Sequence, residues 1–242
     1  MSSTVDAKVA SVRAANTRAR VGLGIHLALV AALVPAYLLF APPTRWDDPV
    51  LIVALVALGV IAIWTEVRLP AGITFEALSA LALIATALGG PLLALLVTFA
   101  PIAVNALMGR ERLLREGNLA NLAAYGWYAL IGAVLLQAAA TDPSATDAFG
   151  WLLVVGLVQL LINWAFGPAI YVTMWLGQPV RTVLHVLADG VPTGAVMVLL
   201  GAGTVILTPA LGILALALFA VIAILPQTAL TYAARTRPVA RL

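Results

Sequence analysis

The sequence predicts an all-α integral membrane protein with about eight transmembrane segments, one pair of which forms a short hairpin broken at Gly-Gly-Pro. Hydrophobic residues make up 63% of the 242 residues and charged residues only 10%, whereas a soluble domain is roughly 25% charged. The basic residues flank apolar runs on alternate sides, which is the pattern that sets membrane orientation. The longest apolar run is interrupted at residues 89–91 by Gly-Gly-Pro, a sequence that breaks helices.

Composition also excludes several classes of protein. The net charge is +3, but the basic residues lie beside apolar runs and not on one polar face, so membrane orientation explains them better than nucleic acid does. The chain has no cysteine, which excludes disulfides, thiolate metal sites and cysteine nucleophiles. Residues 1–20 are polar and lack the apolar core of a signal peptide. We therefore predict a basic cytoplasmic segment over 1–20, a polytopic helical membrane domain over 21–233 and a basic cytoplasmic tail over 234–242.

Eight apolar segments follow from the length needed to cross a bilayer and from the turn signals between them. They cover residues 21–41, 50–64, 75–89, 91–108, 118–137, 151–175, 182–207 and 210–225. Asp189, Gly190 and Pro192 predict an irregular start to the seventh segment, and Thr208-Pro209 a turn into the eighth. No strand is predicted. Both a full crossing and a re-entrant loop fit the 75–108 hairpin, since each returns the chain to the side where it began.

The positive-inside rule selects between topologies. With a cytoplasmic N-terminus and eight segments, Arg45 alone lies outside. The inside set is Lys8, Arg13, Arg18, Arg20, Arg68, Arg110, Arg112, Arg115, Arg181, Arg235, Arg237 and Arg241. A single helix over 75–108 would move the three arginines of the 110–115 loop outside. The charges thus favour the hairpin independently of the glycines, and they predict a multi-pass inner (plasma) membrane protein with both termini in the cytoplasm.

Other residues have predicted roles at interfaces and in packing. Tryptophans at segment ends suit the membrane–water interface; these are Trp46, Trp64, Trp151 and Trp175. Ala28, Ala32 and Ala36 form a small-residue stripe that permits close helix approach, either within the fold or to a partner subunit. Gln159 and Asn163, four residues apart, are expected to hydrogen bond to neighbouring helices.

The sequence shows no catalytic or metal-binding constellation. His26 suits a hydrogen bond to a neighbouring helix or a headgroup, which is a more common role for a neutral imidazole than a ligand contact or a proton relay. His185 and Asp189 share a helix face, yet no nucleophile accompanies them. HExxH is absent, no glycine-rich phosphate loop is found, and the one lysine, Lys8, lies in the tail. We therefore predict no enzymatic activity, cofactor or metal.

Two polar clusters form the candidate ligand-binding site at the ends of the hairpin. The site comprises Glu66, Arg68, Glu76, Asn105, Asn118 and Asn121. In one interpretation these residues face headgroups or cap helices, with Asn118 capping the fifth segment. In the other they line a cavity, because irregular backbone at membrane depth must face protein or water.

A family resemblance rests on the hairpin and the segments around it. Phe75 opens an alanine- and leucine-rich segment, Gly90-Pro91 breaks it, arginines occupy 110–115, and Asn118 and Asn121 begin the next helix. In these features residues 45–240 resemble the N-terminal multi-pass membrane module of bacterial HD-type phosphohydrolase and GGDEF signalling proteins. The closing LPQTALTYAARTRP resembles the exit of that module into the cytoplasm. No HD pair or GGDEF signature is present in the chain. The resemblance therefore implies a sensory or regulatory ligand-binding membrane domain that acts through a partner.

An alternative function is transport. The Gly-Pro hairpin and the alanine stripe are also similar to the substrate-binding membrane subunits of energy-coupling-factor vitamin importers, which normally have six spans. In either case the expected partners are the lipid bilayer, a small-molecule ligand, and a protein partner or a second copy of the chain, with no nucleic acid.

Overall fold

In the computed structural model, α-helices account for nearly all of the described chain. The structure describes the backbone of residues 2–65, 67–68, 74–75, 77–108, 116–139, 142–170, 173 and 177–228. Within these ranges it describes all side chains except those of residues 2–16, 67–68, 74–75, 116–118, 167–168, 186–187 and 189.

Eight α-helices lie within this part of the chain, and each of them overlaps the corresponding predicted apolar segment. They are α1 (Ser2–Phe40), α2 (Pro49–Trp64), α3 (Leu78–Gly89), α4 (Pro91–Leu107), α5 (Glu116–Ala138), α6 (Phe149–Trp164), α7 (Val180–Leu211) and α8 (Ile213–Phe219). A π-helical turn, Ala220–Ile224, prolongs α8, so that the apolar helix as a whole covers Ile213–Thr228.

Four of the described helices are long and apolar enough to cross a membrane, α6 when it is taken together with the 3-10 turn Thr146–Ala148 that precedes it. Their apolar stretches are Thr17–Phe40, Leu119–Ala138, Thr146–Trp164 and Gly190–Leu211. The other four apolar helices are shorter. At about 1.5 Å per residue, α3 is only about 18 Å long, against roughly 30 Å of hydrocarbon. The structure thus supports a helical membrane protein with four candidate spans.

The predicted break at Gly-Gly-Pro is confirmed. Gly90 separates α3 from α4 with φ 95°, a conformation that favours glycine. Pro91 follows as the first residue of α4, where its missing N–H has no partner to lose. The reversal is held by the α1–α2 connection: the Arg45 amide donates to the Gly89 carbonyl at 2.8 Å, and the Leu92 amide donates to the Thr44 hydroxyl at 3.3 Å. The hairpin therefore turns at the end of the bundle where α1 passes into α2.

The short helix α3 lies at the centre of the fold. Ten of its residues are buried, including consecutive residues from Ala80 to Ala87. It packs against α2, α4, α5, α6 and α7. A helix that is apolar all round is expected to be enclosed by other helices. Its short length is therefore compatible with a membrane environment, because α3 is surrounded by protein.

Glycines allow the helices to approach closely. A Cβ on Gly59 of α2 would lie 2.7 Å from the Val97 carbonyl oxygen of α4, and one on Gly156 of α6 would lie 2.5 Å from the Val198 side chain. A Cβ on Gly201 of α7 would lie 3.2 Å from the Ala80 carbonyl oxygen of α3. Small residues at helix crossings are typical of membrane bundles, where packing and not hydrophobicity drives association.

Several sequence predictions about boundaries are wrong. Residues 189–192 are helical, and Pro209 lies inside α7; the turn into α8 comes at Gly212, with φ 54°. A two-residue antiparallel ladder pairs Val67–Arg68 (β1) with Thr74–Phe75 (β2), although no strand was expected. Pro192 and Pro209 both lie inside α7. Proline is tolerated in membrane helices when neighbouring groups satisfy the freed backbone carbonyls.

The prediction that the alanine stripe of α1 packs within the fold is also wrong. Ala36 is buried, whereas Ala28 and Ala32 are exposed. The buried residues of α1 follow a different stripe, which contains His26, Leu33 and Ala36. Trp46, Trp64 and Trp151 are partly exposed, as an interfacial position requires, and Trp175 lies outside the described residues.

We predict that Gly59→Ala destabilises the protein by about 1–3 kcal/mol, because the new methyl group would overlap the Val97 carbonyl oxygen. Gly24→Ala is the matched control. A Cβ there meets nothing within 4 Å. Alanine should therefore stabilise the protein by up to about 1 kcal/mol through its higher helix propensity. Unfolding in detergent measures both variants, and equal stabilisation by the two would contradict the close α2–α4 approach.

Candidate functional site

The predicted hairpin-end site is only partly within the described chain. Asn105 is half-buried near the end of α4, and its Oδ1 accepts a hydrogen bond from the Trp64 indole at 2.8 Å. Arg68 lies in β1, but its side chain is not described, and Glu66 and Glu76 fall outside the described residues. The structure thus brings Asn105 to the end of α2 and leaves the three charged members of the prediction untested.

Of the two asparagines of α5, Asn118 differs from its predicted placement. The helix begins at Glu116, so Asn118 lies within the first turn and not at the predicted cap position. Only the backbone of Asn118 is described. Asn121 is half-buried one turn further along the helix. Capping of α5 by Asn118 is therefore wrong, and a ligand contact by either residue stays a prediction.

Contacts between loops define two ends of the bundle. At one end lie the α1–α2 connection, the Gly90 turn and the loop after α5. In that loop the Ser144 amide and hydroxyl both donate to Asp142. These hydrogen bonds lower the pKa of Asp142, and the positive charge of Arg45 lowers it further. At the opposite end, Trp64 meets Asn105, and the guanidinium of Arg18 lies against Gly177.

The first helix is attached to the bundle by hydrogen bonds from side chains to backbone carbonyls. His26 is fully buried, and its Nε2 lies 2.9 Å from the Phe166 carbonyl oxygen. The Trp127 indole donates to Leu29 O at 3.0 Å, and the Tyr37 hydroxyl donates to Gly126 O at 3.0 Å. Because a carbonyl only accepts, His26 Nε2 carries a proton in this arrangement. The prediction that His26 bonds to a neighbouring helix is confirmed.

A polar centre lies in the middle of the apolar bundle. Gln159 of α6 is 1% exposed. Its Nε2 donates to the Tyr128 carbonyl of α5 at 3.2 Å and to the Thr86 hydroxyl of α3 at 3.3 Å. The Tyr128 hydroxyl in turn donates to Ser79 O at 2.7 Å. Gln159 therefore links three helices, which confirms the prediction that it hydrogen bonds to neighbouring helices.

The orientation of the Gln159 amide follows from its neighbours. The Thr86 hydroxyl donates its own proton to Ala82 O at 2.7 Å, so toward Gln159 it can only accept. The Tyr128 carbonyl is also only an acceptor, and both atoms therefore face Nε2. Space for this end of the amide comes from Gly132, where a Cβ would overlap Nε2.

This orientation leaves the other end of the Gln159 amide unpaired. The Oε1 atom is sealed from solvent and has no hydrogen-bond partner. A buried polar atom without a partner costs about 1–3 kcal/mol. The bundle thus contains, at its centre, an acceptor for one further donor.

The structure also reveals a buried polar residue that the sequence did not single out. Gln227, in the last described turn after α8, is 1% exposed, and neither Oε1 nor Nε2 has a partner. It lies in the segment predicted to leave the membrane. A glutamine two residues after a leucine and one after a proline looks like the end of a membrane helix. Its burial could have been predicted only by continuing the buried stripe of α8 for one more turn.

Catalytic and metal sites find no support among the described residues. His185 is exposed, and its Nδ1 lies 2.7 Å from the Arg181 carbonyl oxygen of its own helix. The side chain of Asp189 is not described, so the predicted pair stays untested. Within the described part of the chain, no three His, Cys, Asp or Glu residues come together as metal ligands.

Comparison with known proteins adds no family assignment. No protein-family model matches the sequence, and neither a curated protein nor a solved structure is significantly similar to the chain.

We predict that Trp64 and Asn105 are energetically coupled across the α2–α4 interface. Trp64→Phe and Asn105→Ala each remove one partner of the 2.8 Å hydrogen bond. A double-mutant cycle in detergent unfolding should give a coupling of about 0.5–1.5 kcal/mol. Additive effects of the two substitutions would show that this bond does not stabilise the hairpin end.

Proposed function

We propose that this protein is a sensory or regulatory ligand-binding membrane domain that acts through a partner protein. The observation that carries the proposal is the unpaired Oε1 of Gln159 at the centre of the bundle. Buried polar groups in proteins are generally satisfied, and polar groups inside membrane proteins commonly mark ligand pathways or sites. A ligand that donates one hydrogen bond to Oε1 would complete the set of partners around this amide.

The chemistry of the centre favours a small, neutral ligand. Gln159, Thr86 and the Tyr128 backbone contribute no formal charge, and no described Asp or Arg side chain is buried; the one buried histidine among the described residues, His26, lies against the Phe166 carbonyl. An ionised ligand placed there would lack a partner of opposite charge, which is very unfavourable in an apolar interior. A hydroxyl or neutral N–H group would be compatible with these surroundings.

The position of Gln159 suits a domain whose ligand changes helix packing. The amide touches α3, α5 and α6, and α3 also packs against α2, α4 and α7. A ligand that displaces Gln159 from Thr86 would act on the central helix, and the ends of the bundle would carry the change to a partner. This agrees with the resemblance to the membrane module of HD-type phosphohydrolase and GGDEF proteins. The presence of eight described apolar helices, where vitamin-importer subunits normally have six spans, favours sensing over transport.

We further propose that the eight helices form eight membrane segments in the bacterial inner membrane, with both termini in the cytoplasm. The Gly90 turn, the α1–α2 connection and the loop after α5 lie at one end of the bundle. The positive-inside pattern would place that end outside, with Arg45 as its one basic residue in the sequence.

Gln159→Met should remove bound ligand while leaving the helical fold intact. Methionine has a similar length but offers no amide, so the Thr86 and Tyr128 contacts and the free acceptor are all lost. Native mass spectrometry of protein purified in nanodiscs should show a small-molecule adduct on the wild type and at least tenfold less of it on the variant. Gln178→Met, at an exposed glutamine, is the matched control. Equal adduct on wild type and Gln159→Met would contradict ligand binding at Gln159.

Reporter tags fused at residues 1 and 242 should both report a cytoplasmic location, whereas a tag inserted after Asp142 should report the opposite side. The reason is that Arg45 and Asp142 lie together at the end of the bundle away from Arg18. Accessibility of the tags in whole cells measures all three positions. A terminal tag on the outside would contradict the eight-segment topology.

A further inference from the structure

The end of α8 contains a second unpaired amide, remote in sequence from the polar centre. Helix α8 begins at Ile213 after the Gly212 turn and packs back against α7. Together with the π-helical turn that prolongs it, α8 buries one stripe of apolar side chains that includes Phe219, Ala223 and Ile224. Gln227 follows one turn later and is equally buried. Both ends of its carboxamide are sealed from solvent and unpartnered. This differs from Gln159, whose Nε2 is satisfied by two acceptors.

The backbone before Gln227 has the features of a local hinge. Residues Ala220–Ile224 form a π-helical turn, closed by a hydrogen bond from the Leu225 amide to the Ala220 carbonyl. Pro226 follows and cannot donate an α-helical hydrogen bond. Such wide turns occur frequently at functional sites. The backbone hydrogen bonding before Gln227 therefore differs from that of the regular α-helix between Ile213 and Phe219.

We propose that Gln227 is the polar anchor of a second small-molecule site, which takes a neutral ligand with a hydrogen-bond donor and acceptor side by side on an apolar body. A primary carboxamide is the simplest such ligand, since its C=O would accept from Nε2 while its N–H donates to Oε1. The apolar body is required because the side chains that precede Gln227 on the buried stripe are apolar. A charged ligand is excluded on the same ground as at the centre: no described Asp or Arg side chain is buried, and the buried His26 lies against the Phe166 carbonyl.

The arrangement also explains why a small molecule is a better occupant than a peptide or a second copy of the chain. Gln227 is 1% exposed and belongs to the interior stripe of α8, not to its outer face. The outer face of the same helix carries exposed apolar residues such as Leu218 and Ile222. A macromolecule would meet that outer face, whereas the interior side beside Gln227 suits a small group.

Binding of benzamide to the full-length protein in nanodiscs tests the proposal. Toluene has a similar apolar body without the amide and serves as the reference probe. The wild type should bind benzamide at least about tenfold more tightly than toluene, the effect of roughly one or two buried hydrogen bonds. Gln227→Met should abolish that preference. Gln178→Met, at an exposed position, should retain it.

The outcomes separate this site from the proposed function at Gln159. An unchanged preference in Gln227→Met would overturn the second site. Loss of the preference in Gln159→Met, with Gln227→Met unaffected, would place the amide at the polar centre and would likewise overturn it. If Gln159→Met retains the preference for benzamide over toluene and Gln227→Met loses it, the second site is supported, whether or not Gln159 holds a ligand.

Stability without any probe provides an independent measurement. Because Gln227 has no hydrogen bond to lose, Gln227→Met should unfold at the same temperature as the wild type or at a higher one. A midpoint several degrees lower would show that the amide is already paired, and would overturn the proposal.

Discussion

The reversal of the chain at Gly90 is the constraint on which the arrangement of the other helices depends. It requires a residue with positive φ and a partner for the freed backbone groups in a bundle with few polar side chains. The connection between α1 and α2 supplies that partner through the Arg45 amide and the Thr44 hydroxyl. Because the turn is held at this end, α3 is directed into the centre and α4 returns along α2. The shortest helix of the hairpin thereby becomes the one most enclosed by protein.

Enclosure of α3 leads directly to the polar centre. Small residues on the surrounding helices, such as Gly156 and Gly201, let the backbones approach. That approach places Thr86 of α3 beside Gln159 of α6, with Gly132 leaving room for the amide. The same close packing seals Oε1 from solvent and leaves it without a partner. Tight packing and an unsatisfied acceptor therefore have a common origin, and this combination is the basis for proposing a ligand-dependent membrane domain.

The sequence anticipated those features that depend on local residue type and spacing. The Gly-Gly-Pro break, the number of apolar segments and the role of His26 as a helix-to-helix bond are examples. The sequence did not predict the features that depend on which face of a helix packs against which neighbouring helix. The Ala28 and Ala32 stripe fits close packing as well as the stripe containing His26 and Leu33 does, and only contact with α5 distinguishes them. The turn expected at Pro209 failed because a proline can remain helical when neighbours satisfy the backbone.

The sequence by itself predicted a helical membrane protein, because its high apolar fraction is typical of that class and its flanking arginines predict the direction of each segment. The structure agrees in showing four helices that are long and apolar enough to cross a membrane. The sequence also determined where the hairpin breaks, since only glycine readily adopts the backbone conformation that Gly90 requires. Only the tertiary structure decided that Gln159 and Gln227 are sealed in the interior. Burial of a glutamine depends on helices distant in sequence, so that residue type and spacing alone cannot distinguish a buried amide from one that faces the headgroups.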